Sequence, residues 1–166
     1  MPESTAPQVK IFKASQQLIE KAGTGEVDVT RIEKAENVIQ NNTEDFMPIA
    51  ADFLKRLEEG VQRARTAELT MLEKIAGMTQ PVMELKANAR MFKYDLVTSL
   101  ANIMLGFLEN IKDLDRDAIE IVAAHHTTLN AIIIKKMKGD GGANGELLRA
   151  ELEDACQRYF RKRKPA

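Results

Sequence analysis

Residues 50–103 read AADFLKRLEEGVQRARTAELTMLEKIAGMTQPVMELKANARMFKYDLVTSLANI, and their spacing decides the fold class. Ala50, Leu54, Leu57, Val61, Ala64, Glu68, Met71, Ile75 and Met78 follow one another in alternating steps of four and three, the repeat of a heptad seam. The series continues in phase as Val82, Leu85, Ala89, Phe92, Leu96, Ser99 and Ile103, across Gly77 and Pro81. Pro81 has no N–H for the carbonyl of Gly77 and disfavours helical angles at Gln80, whereas Thr79 suits a cap. The pattern therefore predicts a hairpin of two long antiparallel helices, Asp45 to Ala76 and Gln80 to Lys112, with one kinked rod as the alternative shape. Pro48 falls in the first turn of its helix, where a missing N–H costs little. Glu68 is the one charged residue in the first half of the seam. If buried there, it needs a cation such as Lys86, Arg90 or Lys93 beside it.

Helical period persists on both sides of this stretch, and β alternation appears nowhere over a useful length. Upstream, Val9, Phe12, Gln16 and Ile19, flanked by Ile11 and Leu18, mark a short helix stopped by Gly23 and Gly25. Asp28 caps the next helix, with Thr30 and Glu33 spaced as a capping box, and Ile32, Ala35, Val38 and Ile39 give it an apolar face before Asn41-Asn42. Downstream, Asp113 or Asp115 caps a helix that runs to Lys138 and ends at Gly139. Residues 139–145 form a Gly-rich hinge. After it, Leu147, Leu148, Glu151, Leu152, Ala155, Tyr159 and Phe160 describe a last amphipathic helix entering a basic tail at 161–166. Residues 1–7 read as a disordered amino terminus. The expectation is one all-α domain over 1–166, an up-down antiparallel helical bundle with a long central helical hairpin and shorter terminal helices.

The chain has 166 residues, 24 Lys+Arg against 25 Asp+Glu, and 44% hydrophobic residues, which supplies a core without the charge imbalance of a disordered chain. Leu96 to Leu108 is a long uncharged stretch of the second half and falls short of the roughly 20 apolar residues of a membrane span. An acid at Glu3 and the lack of a following apolar run argue against a secretory signal, so a cytoplasmic location is expected. The single Cys156 has no second cysteine with which to form an internal disulfide or clasp zinc, and reads as a packing residue. The balanced charge argues against a dedicated nucleic-acid binder.

His125 and His126 are the only histidines. On a helical wheel they are expected on opposite shoulders of a stripe made by Ile119, Val122, Leu129, Ile133 and Met137. Adjacent positions diverge around a helix, so the two rings do not chelate one metal. An imidazole that is neutral near pH 7 is nucleophilic, which makes either ring a candidate phosphoacceptor. The run His126-Thr127-Thr128-Leu129-Asn130-Ala131-Ile132 resembles the helix around the phosphorylated histidine of sensor-kinase dimerisation domains, over seven residues. In that family the histidine lies four residues before the threonine, a place held here by Ala123, and a proline stands where this chain has Thr128. The resemblance implies a phosphotransfer module with a response regulator as partner.

The Gly-rich segment admits a degenerate calcium loop, because Asp140, Asn144 and Glu151 fall at its first, fifth and twelfth positions; Gly142 and Leu148 supply no ligand at the third and ninth. Glu153, Asp154 and Gln157 are an acid and amide set of the kind helical phosphatases use to place a water, and equally ordinary surface decoration. Arg158, Arg161, Lys162, Arg163 and Lys164 suit an anionic surface, or simply the negative end of a helix dipole.

The reading that follows is a non-enzymatic helical interaction protein, a cytoplasmic bacterial regulatory or signalling adaptor that binds a protein partner or a second copy, with no cofactor and no metal. Its expected interface is the seam, at Leu54, Leu57, Val61, Glu68, Met71, Ile75, Leu85, Phe92, Leu96 and Ile103. The alternatives are a histidine phosphotransfer module using His126 or His125 and a surface-coating protein built on the long amphipathic hairpin.

Overall fold

The computed structural model describes residues 20–21, 28–41 and 44–163. The helix expected around Val9 to Ile19 lies outside them. Contacts divide the chain at Asn41 into two units. The first contains α1 (Val29–Gln40), where Asp28 accepts a hydrogen bond from the Thr30 N–H at 3.0 Å and Asn41 closes the last turn. Asp28 also takes the Thr30 hydroxyl, so the capping box expected between Thr30 and Glu33 does not form. None of the side chains of α1 is buried.

The second unit holds α2 (Phe46–Thr66), α3 (Met71–Met91), α4 (Asp95–Asn110), α5 (Arg116–Ile134) and α6 (Gly142–Lys162), and no strand occurs among the described residues. Helices α2 to α5 close a ring in which each packs on the next and α5 returns to α2. Short connections make the sequential neighbours antiparallel. Helix α6 lies outside the ring, over both α4 and α5. The all-α bundle is as expected. The long hairpin is not.

The chain turns at 67–70 and 92–94 instead of at Gly77–Thr79. At the first turn, the Thr70 side chain accepts from the Glu73 N–H while the Glu73 carboxylate accepts from the Thr70 N–H at 2.9 Å, a reciprocal box that satisfies two orphan donors and starts α3. Glu68 is exposed in that turn, so the buried ion pair expected for it is absent and the first seam ends at Ala64. Pro81 sits buried within α3, and Thr79, expected to cap a helix, stands inside this one with its hydroxyl buried and unpartnered. The carbonyl of Gly77, which Pro81 cannot serve, faces Gly60 of α2: a Cβ at Gly60 would lie 2.6 Å from that oxygen. The two helix backbones meet there because Gly60 carries no side chain; a Cβ at Gly77 would touch only the far end of Arg63, at 3.8 Å.

At the second turn, α3 ends in a left-handed Lys93 at φ 63°, with Tyr94 N–H donating to the Ala89 carbonyl at 2.9 Å. Phe92 stacks on Phe46, ring centroids 4.8 Å apart, and Tyr94 packs on the same ring at 5.1 Å, which pins this turn to the start of α2. Helix α5 ends the same way, at Ile134 and not at Lys138, with Lys136 at φ 50° and Met137 N–H bonded to the Ile132 carbonyl.

The segment after α5 docks against the second turn. Gly139 N–H donates to the Lys93 carbonyl at 2.6 Å and its carbonyl accepts from Leu96 N–H at 2.8 Å, so one residue serves the end of α3 and the start of α4, which has no side-chain cap. Gly141, at φ 76° against Leu96, stands at the capping place before α6. A Cβ at Gly145 would fall 2.0 Å from the Asp140 carbonyl. Gly141 and Gly145 are required by close approach.

Candidate interaction surface and the histidine pair

Helix α5 is covered by α2, α4 and α6, and the stripe it buries runs Ala118, Val122, His125, Leu129 and Ile132 in steps of four and three. His125 therefore lies in the seam, fully buried, instead of on its shoulder. The wheel placed it wrongly because the stripe left out Ala118 and Ile132, which are buried on either side of His125. The His125 Nδ1 is 2.9 Å from the Ile121 carbonyl oxygen. A carbonyl can only accept, so Nδ1 carries the proton and Nε2 is left as a buried acceptor without a partner. Burial pushes the pKa of His125 down against the smaller opposite pull of that carbonyl, and the ring is neutral in the fold. Enclosed on every side, His125 offers no nitrogen to a phosphoryl donor, which removes it as a phosphoacceptor. His126 is half-buried on the neighbouring face.

The other candidates separate as follows. Residues 142–151 are helical and Asp140 spends one carboxylate oxygen on the Gly142 N–H at 2.9 Å, so Asp140, Asn144 and Glu151 do not form a calcium loop. No group of three or more potential metal-ligating side chains occurs among the described residues. Cys156 is buried on the inner face of α6, and burial pushes its thiol up to about 11. In the basic tail, Asp154 engages Arg158 and Arg161, while Arg163 pairs with Asp115 and Asp117 and lies 3.7 Å over the Tyr159 ring. Three of the arginines counted toward an anionic ligand are thus neutralised by the chain itself. Glu153 pairs loosely with Arg149. Among the described residues, no helix is long and apolar enough to cross a membrane.

The expected seam interface is consumed by the fold. Leu54, Leu57, Val61, Leu85 and Leu96 are buried in the core, Met71, Ile75, Phe92 and Ile103 pack partly buried against it, and Glu68 stands apart in the first turn. Val29, Val38, Ile134 and Leu147 are exposed on other helices or their ends, and α3 carries a second apolar face that the seam did not contain. On α3, Leu72 is 78% exposed, Met83 53% and Met91 46%. The inward side of the same helix already carries Met78, Val82, Leu85 and Ala89, so α3 is apolar on two sides.

Met83 and Ala87 lie in an open groove of about 650 Å³ between α3 and α4, with Leu105 at its floor. Lys86 and Arg90 stand on the α3 wall and Glu109 on the α4 wall. None of these three charges has an ion-pair partner among the described residues. The corresponding groove between α4 and α5 is the one α6 fills, burying Leu152, Cys156 and Tyr159. Comparison with protein-family models, with curated proteins and with solved structures finds no match to this chain.

Proposed function

We propose that this chain is a non-enzymatic interaction module, an adaptor whose working surface is the outer side of α3 and the groove it forms with α4. The observation that carries the reading is the exposure of Leu72, Met83 and Met91 on a helix whose inward face is already filled. Large apolar side chains held in water on one face cost solvation free energy that a partner recovers by covering them. The bundle supports this role by being rigid beneath the surface, since α3 is fixed to α2 by the Gly60–Gly77 approach and by the Arg56–Glu84 ion pair.

A photo-reactive side chain tests the reading in living cells. Placed at Met83, it should give one discrete crosslinked species, whereas the same group at Lys55, on the polar outer face of α2, should give none. Equal labelling from both positions, or none from either, refutes the assignment of this surface.

A further inference from the structure

We infer that the occupant of the α3–α4 groove is a second copy of this chain, bound about a two-fold axis that passes near Met83 and Ala87. The inference rests on the interaction surface proposed above and adds the identity of the partner. Its basis is the polarity of the groove. Arg90 is one residue from the end of α3, beside the 92–94 turn, and Lys86 lies one helical turn before it. Glu109 is the penultimate residue of α4, which runs away from that turn, so the acid and the Arg90 cation are separated by roughly 15–20 Å along the groove at 1.5 Å per residue. The groove has a basic end, an apolar middle and an acidic end.

A two-fold rotation about the middle exchanges those ends. It sets Arg90 and Lys86 of each copy against Glu109 of the other, and it brings the exposed Met83 side chains together at the axis, beside the small Ala87. A closed two-fold contact requires a surface complementary to itself. An acidic or basic ligand would match only one end. The way α6 fills the neighbouring α4–α5 groove shows that a helix seats on this bundle in such a furrow.

Charge exchange tests the inference on the full chain, with mass followed by sedimentation across the micromolar range. The chain should be dimeric. Arg90→Glu places acid against acid twice per dimer, and Glu109→Arg places base against base twice, so each should weaken association about tenfold or more. The double variant restores both pairs with their signs exchanged and should dimerise again. Met83→Cys, at the axis, should give a disulfide-linked dimer under mild oxidation, with Cys156 buried and its thiol held protonated and so silent. Circular dichroism of each variant should match the parent, because all three positions are exposed. A monomeric parent chain, or a dimer indifferent to both single reversals, overturns the inference. If the photo-reactive group at Met83 then captures a different protein, the interaction surface stands and only the second copy fails. If it captures nothing, both readings fail.

Discussion

Gly60→Ala places one methyl group where α2 and α3 meet, and its effect can be worked from the geometry. The added Cβ would lie 2.6 Å from the Gly77 carbonyl oxygen, against the 3.4 Å at which ordinary contact begins. That oxygen belongs to a packed helix backbone, so no side-chain rotation relieves the overlap, and the two helices must part by several tenths of an ångström along a crossing that also packs Met78. Overpacking of this kind costs about 1–3 kcal/mol. Against it stands the helix propensity of alanine over glycine, about 1 kcal/mol. Gly106→Ala isolates that opposing term, because Gly106 also lies within a helix and nothing approaches its Cβ position within 4 Å. Urea unfolding followed by circular dichroism should find Gly106→Ala stabilised by up to about 1 kcal/mol and Gly60→Ala about 1–3 kcal/mol below it. The gap corresponds to a midpoint difference of about 2–4 °C per kcal/mol in a thermal scan of a chain this size. Equal stabilisation by the two substitutions would refute the close approach and with it the placement of the α2–α3 turn.

Three further outcomes are expected. His125 is neutral in the fold with its pKa depressed, so below the ordinary histidine value of about 6.5 the unfolded chain binds the extra proton and stability falls as the pH drops, by at most about 1.4 kcal/mol per pH unit, until the folded pKa is reached. His125→Leu should remove that acid-side slope, measured by urea unfolding between pH 7 and 5 (roughly the range over which a free histidine titrates), while leaving stability at pH 7 unchanged or improved; an unchanged slope would mean that the ring is hydrated. Gly145→Ala forces a Cβ to 2.0 Å from the Asp140 carbonyl and should destabilise by about 3 kcal/mol or more, read by thermal unfolding, since the turn that serves both α3 and α4 must open. The chain should take up no acid-labile label from a phosphorylated response regulator, and labelling that disappears with His126→Gln would replace the interaction reading by phosphotransfer.

The sequence discloses the helical class and most of the buried positions because heptad spacing reports burial directly. Ala50, Leu54, Leu57, Val61, Met78, Val82, Leu85 and Ala89 are all buried as the seam requires. It misplaces the turns because three local signals compete with that spacing. Pro81 reads as a break, yet its cost is confined to one carbonyl, that of Gly77, where the chain has glycine on both sides of the crossing. Thr70-Met71-Leu72-Glu73 is a capping box legible in the sequence, overlooked because the seam runs through it in phase. The ends of α3 and α5 are hidden more deeply, since lysines at 93 and 136 take the left-handed place that glycine usually marks. Gly139 then reads as the stop for α5, when its role is to donate a hydrogen bond to Lys93 and accept one from Leu96.

The surface proposed for recognition was legible by the same arithmetic that located the core. Leu72, Ala76, Met83 and Ala87 follow one another at spacings of four, seven and four, which keeps them on one side of α3, away from the first series. One seam is enough to place a helix against its neighbours, so a second adds nothing to the prediction of a fold and is easily passed over. In a structure it cannot be passed over, because the ring of α2 to α5 covers only one side of α3 and the second series is left in water. Helix α4 does not share this property: its apolar residues are spent on α3, α5 and α6 together. The difference between these two neighbours separates core from interface here. Where a helix carries an apolar face that none of its own chain's neighbours covers, that face is the one to test for a partner.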